Sequence, residues 1–235
     1  MAKTRILIMV SALLAAIFVL SACSVQLGGP STWEFTADNK EEAVQLYKDF
    51  FEKTFADTNQ VVVFKNKDGN VVFTENIEGT SDLMYAEETK THTYSFIDGE
   101  RYISATSSED GSQYYMEGED AYNNTYFGYK TYLSYMTDMP DEEVSNYTIS
   151  CVVKGEEENG HSTSTMEYTI TSNKGEGSIV FKANAKDGLV QNFNYDYTYT
   201  GEEGTDEIHN SAEFTYGNAS VGELPDITDW YKLEM

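Results

Sequence analysis

Side-chain catalysis needs a nucleophile, a base or a metal ligand at a workable spacing, and this chain offers few. Its three histidines, His92, His161 and His209, fall in no H-x-x-x-H or H-E-x-x-H pattern that would bring two imidazoles to one zinc ion. No G-x-S-x-G elbow, phosphate-cradling glycine loop or dinucleotide fingerprint occurs. The 40 acidic residues include the raw material for a glycosidase carboxylate pair, but nothing in their spacing singles out two. Asn66-x-Asp68-Gly69-Asn70 opens like a calcium loop yet lacks the flanking ligands and closing Glu of one, so it reads as a hairpin turn. His92 shares an alternating series with Tyr94 and Phe96 and reads as a partly buried strand residue. The expectation is a protein with no enzymatic activity, metal or cofactor.

The remaining reactive groups are two thiols, Cys23 and Cys151. Cys151 sits in the alternating series Tyr147, Ile149, Cys151, Val153, which places it on the covered side of a strand as a buried thiol. Cys23 has a different setting. Lys3 and Arg5 precede an apolar run, Ile6 to Leu20, interrupted only by Ser11. That run is shorter than the roughly 20 residues a spanning helix needs and suits the apolar core of an export signal. It ends in Leu20-Ser21-Ala22-Cys23, which resembles the lipobox of bacterial lipoproteins. The resemblance implies cleavage before Cys23, a diacylglycerol thioether on its sulfur, and tethering at the extracytoplasmic face of the cell membrane. Two acyl chains anchor stably where one is marginal. Expected boundaries are a signal over residues 1–22, a lipidated, flexible tether over 23–37 containing Gly28-Gly29-Pro30, and a single β-rich domain over 38–235.

Charge narrows the partners. Of 15 basic residues, Lys3 and Arg5 lie in the signal, leaving 13 against 40 acids, a net −27 after Cys23. Such a surface repels nucleic-acid phosphates and anionic lipid headgroups alike, so nucleic acid is excluded as a partner. The charge does not signal disorder, because 18 Tyr and 12 Phe, with many β-branched residues, favour strands and a core.

The elements follow from periodicity. Asp38 to Phe55 reads as a helix capped by Asp38 with Glu41 at capping-box spacing; Ala43, Leu46, Tyr47, Phe50, Phe51 and Phe55 share one wide face. Asp-Gly pairs at 68–69, 98–99, 110–111 and 187–188 each mark a two-residue hairpin turn. Register counted from them pairs Phe96 with Arg101, Tyr94 with Ile103, Ala105 with Met116, and Lys186 with Leu189. One face then holds Tyr94, Phe96, Ile103, Ala105, Tyr114 and Met116. Near 187–188, Ile179, Phe181, Ala183 and Val190 fall on one side, and Val180, Phe193, Tyr195, Tyr197 and Tyr199 on the other. Tyr122, Tyr126, Tyr129, Leu133 and Met136 are spaced as a helical stripe, which predicts a second helix over Asp120–Thr137 despite Gly128. Long strands are expected at 147–153, 164–171, 178–185, 190–200 and 208–216, with acidic turns at 156–158 and 202–203. Trp230, Tyr231 and Leu233 dock the tail.

This order of elements, with Phe214-Thr-Tyr-Gly-Asn-Ala-Ser-Val and Leu224-Pro-Asp closing it, resembles the LolA/LppX group of lipoproteins. The resemblance implies an α+β, mainly antiparallel fold: a strongly curved half-barrel sheet with an N-terminal helix and a mid-chain helical insert packed on it. It also implies binding of a lipid or other amphipathic ligand. The candidate lining residues are Phe193, Tyr195, Tyr197 and Tyr199 together with Tyr122, Tyr126 and Tyr129, since tyrosine offers a ring to an acyl chain and a hydroxyl to a headgroup. The alternative is an envelope interaction protein without a small ligand, whose acidic surface meets a protein, a wall polymer or cations.

Overall fold

The computed structural model describes residues 31–37, 39–134, 137, 146–201 and 204–234. The expected signal, Cys23, Met136 and the Glu202-Glu203 turn lie outside them. In chain order the strands are β1 (Ser31–Ala37), β2 (Asn59–Asn66), β3 (Val71–Glu78), β4 (Ser81–Ala86), β5 (Thr91–Asp98), β6 (Arg101–Ser108), β7 (Gln113–Glu117), β8 (Tyr147–Glu158), β9 (His161–Ser172), β10 (Gly177–Lys186), β11 (Leu189–Gly201), β12 (Gly204–Tyr216) and β13 (Tyr231–Lys232). The helices are α1 (Lys40–Ala56), α2 (Glu119–Thr125) and α3 (Gly128–Ser134). Among the described residues all strands join one open, curved sheet in the order β1-β8-β9-β10-β11-β12-β2-β3-β4-β5-β6-β7-β13.

That order dictates the first helix. The chain leaves β1 at one edge and re-enters at β2 in the middle, six inter-strand steps away, or about 29 Å at about 4.8 Å per step. The 17 residues of α1, at about 1.5 Å each, span about 25 Å and so bridge the gap across one face. Asn39 caps it, its side chain accepting from the Glu42 N–H at 3.0 Å; Asp38, the expected cap, lies outside the described residues. The residues facing the sheet are Ala43, Tyr47, Phe51 and Thr54. Tyr47 meets Tyr168 and Phe181 at 5.2 and 5.6 Å between ring centroids. At the helix end, the Val190 N–H donates to Thr54 Oγ1 at 2.9 Å. This inner face also holds Cys151, Tyr168, Phe181, Phe193, Phe214, Val62 and Ile77, all buried. Each such aromatic contributes about 1.5–3 kcal/mol by leaving water.

The expected single helix over 120–137 is instead two short ones. Phe127 adopts φ 55° between them, a conformation that costs a bulky residue energy. The turn lets α2 follow β5 and β6 while α3 swings toward α1, where Tyr47 Oη donates to Leu133 O at 3.4 Å.

All four Asp-Gly sites are hairpins, but only Asp187-Gly188 has both residues at positive φ, 53° and 80°, as a two-residue loop between Lys186 and Leu189. At 98–99 the loop residues are Gly99 and Glu100, because Asp98 pairs with Arg101. Phe96 therefore pairs with Ile103 and Tyr94 with Ala105, two residues off the expected register, which leaves the faces unchanged. Between β6 and β7 the register is off by one, Ala105 opposite Tyr115, and an odd slip exchanges the faces. Tyr115 and Glu117, not Tyr114 and Met116, share the face of Phe96 and Ile103. A bulge between Asn184 and Ala185 does the same on β10–β11: Phe193 pairs with Ala183, Tyr195 with Phe181 and Tyr197 with Ile179. The aromatic series of β11 thus joins the inner face instead of opposing it.

Two further expectations change. Ser31–Ala37 is strand, so the tether does not extend to residue 37. Glu156–Glu158 close strand β8 instead of forming the turn. The C-terminal segment docks as expected through Trp230: with Leu224 and Ile227 it covers Phe96, Ile103 and Ala105 on the outer face, while Tyr231 is largely exposed.

Candidate functional site

The seven candidate lining residues fall into two groups, one on the insert and one on β11, and of the seven the recess described below is lined by Tyr197 and Tyr199. On the insert, Tyr129 is fully buried and its hydroxyl donates to Gln60 Oε1 at 3.1 Å. Tyr122 is buried, donates to Thr80 O at 2.9 Å and stacks on half-buried Tyr126 at 4.9 Å. Burial raises all three hydroxyls above the ordinary tyrosine range, so they stay neutral donors.

On β11 the series is graded. Phe193 is fully buried, against Phe181 at 4.8 Å and Phe64 at 5.3 Å. Tyr195 is half-buried against the core, Tyr197 half-buried, and Tyr199 is 43% exposed. Alternate residues on a strand advance about 6.8 Å, so the series climbs about 20 Å from core to solvent on one face. Tyr197 and Tyr199, with Tyr147, Ile170 and Ile179, line a recess of about 130 Å³. Ile208, which pairs with Tyr197 across β12, is 46% exposed. This end of the inner face is therefore apolar, open and continuous with the core.

A second surface is polar. Lys154, Thr163, Thr165, Asn184, Lys186 and Asn192 border an open groove of about 790 Å³ that also touches Trp33 and Gly155. Its neighbour, about 490 Å³, adds Glu167, Lys182 and Asn194. Two of the three lysines here are ion-paired, Lys154 with Glu34 at 3.5 Å and Lys182 with Glu167 at 3.1 Å.

Periodicity alone did not single out the third cluster. Glu75 and Asp82, on neighbouring strands β3 and β4, are 0% and 1% exposed. Glu75 accepts the N–H groups of Gly128 and Tyr129, and Asp82 Oδ2 that of Phe127 at 2.7 Å. Burial holds both carboxyls above their usual range; Asp82 is raised further by the negative Glu75 beside it, while amide donors partly offset the effect on Glu75. Glu75 is in phase with Phe73 and Ile77 on β3, which is the signal that places it under the insert. Cys151 is buried as expected, and burial pushes its thiol up to about 12, where it is inert as a nucleophile. Among the described residues no group of three or more His, Cys, Asp or Glu side chains is arranged to hold a metal ion.

Among the described residues these features define an architecture: one open, mainly antiparallel curved sheet with few helices, and apolar side chains exposed at one end of a face. No family model, curated protein or solved structure matches the chain.

Proposed function

We propose that this chain is a membrane-tethered, extracytoplasmic binding protein without catalytic activity, whose ligand is a lipid or another apolar or amphipathic molecule. The tether is Cys23, acylated after cleavage of residues 1–22. The sheet acts as a half-barrel whose middle is filled by its own aromatics. Because Phe181, Phe193 and Tyr168 occupy that middle, the ligand lies along the uncovered end of the inner face and not in a closed chamber. Tyr195, Tyr197 and Tyr199 supply the bed, with Ile208 opposite. The observation that supports this reading most is the graded exposure from Phe193 to Tyr199 on one face of β11. Exposed apolar residues continuous with a core are costly in water and are favoured where a ligand covers them. Tyr122, Tyr126 and Tyr129 then act as packing residues that fix the insert.

The alternative, an envelope interaction protein, draws support from the open polar groove beside Lys154 and Asn184. The two readings separate in one experiment. The full chain is expressed in a bacterial host, extracted from membranes in mild detergent, and analysed by native mass spectrometry followed by organic extraction. Near-stoichiometric lipid beyond the acyl groups on Cys23 supports ligand binding. A chain carrying only its own acyl groups, after incubation with membrane lipids, refutes it and favours the groove, where binding of a charged partner should weaken with salt.

A further inference from the structure

Three consecutive amides, of Phe127, Gly128 and Tyr129, point at one carboxyl pair beneath the break between α2 and α3. They occupy Glu75 Oε1, Glu75 Oε2 and Asp82 Oδ2. The fourth oxygen, Asp82 Oδ1, is buried and receives no N–H or hydroxyl donor, while the two carboxyl groups lie within hydrogen-bond range of each other. Two ionised carboxylates in contact and away from water repel strongly, and an acceptor without a donor is costly there. One proton removes both problems.

We infer that Glu75 and Asp82 share a single proton, carried by Asp82 on Oδ1 and donated to Glu75, and that this proton holds the α2–α3 insert on the sheet. The reverse placement is the poorer one: both oxygens of Glu75 already accept an amide N–H, which stabilises the charge there, whereas Asp82 Oδ1 has no donor. A bound cation fails. The three amides direct their positive ends at the same oxygens, and the one oxygen left is far short of the six or so that a hard cation collects. With the proton in place the pair carries one negative charge, which three amide dipoles stabilise well.

The surroundings leave the pair as the group that titrates. From α3, the Tyr129 hydroxyl faces it and donates to Gln60 of β2. From α2, Tyr122 and Tyr126 donate to the carbonyls of Thr80 and Gly79, and Thr125 accepts from Ser95 of β5. Lys130 of α3 sits over the rings of Phe55 and Phe127. The tyrosines are held above their ordinary range by burial, so they do not lose protons before the pair does.

The sign follows. The folded value of Asp82 lies well above the ordinary 3.8. Its contribution to stability is complete below that ordinary value and is lost as pH rises through the folded one. The hold on the insert is therefore strongest in acid and weakens progressively as pH rises from the ordinary carboxyl range; once the shared proton is stripped, two charges are left in contact.

The test combines carboxyl ¹³C NMR of the full chain with two substitutions. Asp82→Asn supplies a permanent donor to Glu75 in place of the proton. Glu75→Gln turns an NH₂ group toward amide donors. The expected result is an Asp82 carboxyl that reads as protonated at neutral pH. Asp82→Asn should match the wild-type melting midpoint at low pH and lose the wild type's fall in midpoint as pH rises above the ordinary carboxyl range, and Glu75→Gln should melt lower than both. An ionised Asp82 at neutral pH overturns the inference, as does an Asp82→Asn midpoint that falls with pH as steeply as wild type. The NMR reading on the unsubstituted chain decides the matter even if a variant fails to fold.

Discussion

The indole of Trp33 lies against the backbone of Gly155, in the space that a side chain at position 155 would occupy. This contact fastens the edge strand β1 to β8, because a Cβ on Gly155 would fall within the ring. Gly155→Ala must therefore push the indole aside. The expected cost is about 1–3 kcal/mol, the usual range for overpacking a fitted contact, read from chemical unfolding. Near-UV circular dichroism should show the tryptophan signal change, since the chain contains only two tryptophans.

Phe193 and Tyr199 occupy the same face of one strand but should behave oppositely on truncation. Phe193→Ala empties a fully buried site and should cost about 3–5 kcal/mol. Tyr199→Ala removes a side chain already 43% exposed and should stay within about 0.5–1 kcal/mol. Equal losses in urea unfolding would show that the β11 series is not graded in solution.

Tyr129 and Gln60 form a buried pair in which the hydroxyl satisfies the Gln60 carbonyl oxygen, while the Gln60 amide donates to the carbonyls of Thr54 and Asp57. Tyr129→Phe keeps the ring and strips the donor. The stranded Gln60 oxygen should cost about 1–3 kcal/mol in thermal or urea unfolding.

How much of this was legible in the sequence depends on parity. Asp-Gly pairs located four hairpins, and an error of two residues at Asp98-Gly99 left Phe96 and Ile103 on the right face. An error of one at Ala105 and Tyr115, and the bulge beside Ala185, each reversed a face, since strand side chains repeat every second residue. Bulges have no composition signature here, so the true side of Phe193–Tyr199 could not be counted from the turn. The strand character of β1 was legible in the alternation of Trp33, Phe35 and Ala37 but was masked by the small polar residues before it. Glu75 and Asp82 were hidden for another reason: acidic residues are seldom fully buried, and only the phase of Glu75 with Phe73 and Ile77 betrays its place.

His209 offers a pH-dependent reporter on the outer face. Its Nδ1 lies 2.7 Å from Asp196 Oδ1 and its Nε2 3.7 Å from Glu207, and the Asp196 hydrogen bond raises its pKa above 6.5. The imidazolium is thus favoured in the folded state; that preference is complete below the ordinary histidine value and lost as pH rises through the raised one. Proton NMR should place its titration above that of a free histidine, and Asp196→Asn should move it back down.

The proposed tether rests on one sulfur. Cys23→Ala should leave the sheet folded but shift the protein out of the membrane fraction, and metabolic labelling with a radioactive fatty acid should vanish. Unchanged membrane retention and labelling would remove Cys23 as the anchor.

Lipid loading of Tyr199→Asp/Ile208→Asp beside the unsubstituted chain tests the binding claim most directly. Both residues are exposed, so the double variant should melt with the wild type. The account predicts that the wild type extracted from membranes carries lipid beyond its own acyl groups and that the variant carries none. An unloaded wild type, or equal loading of the two, would contradict it.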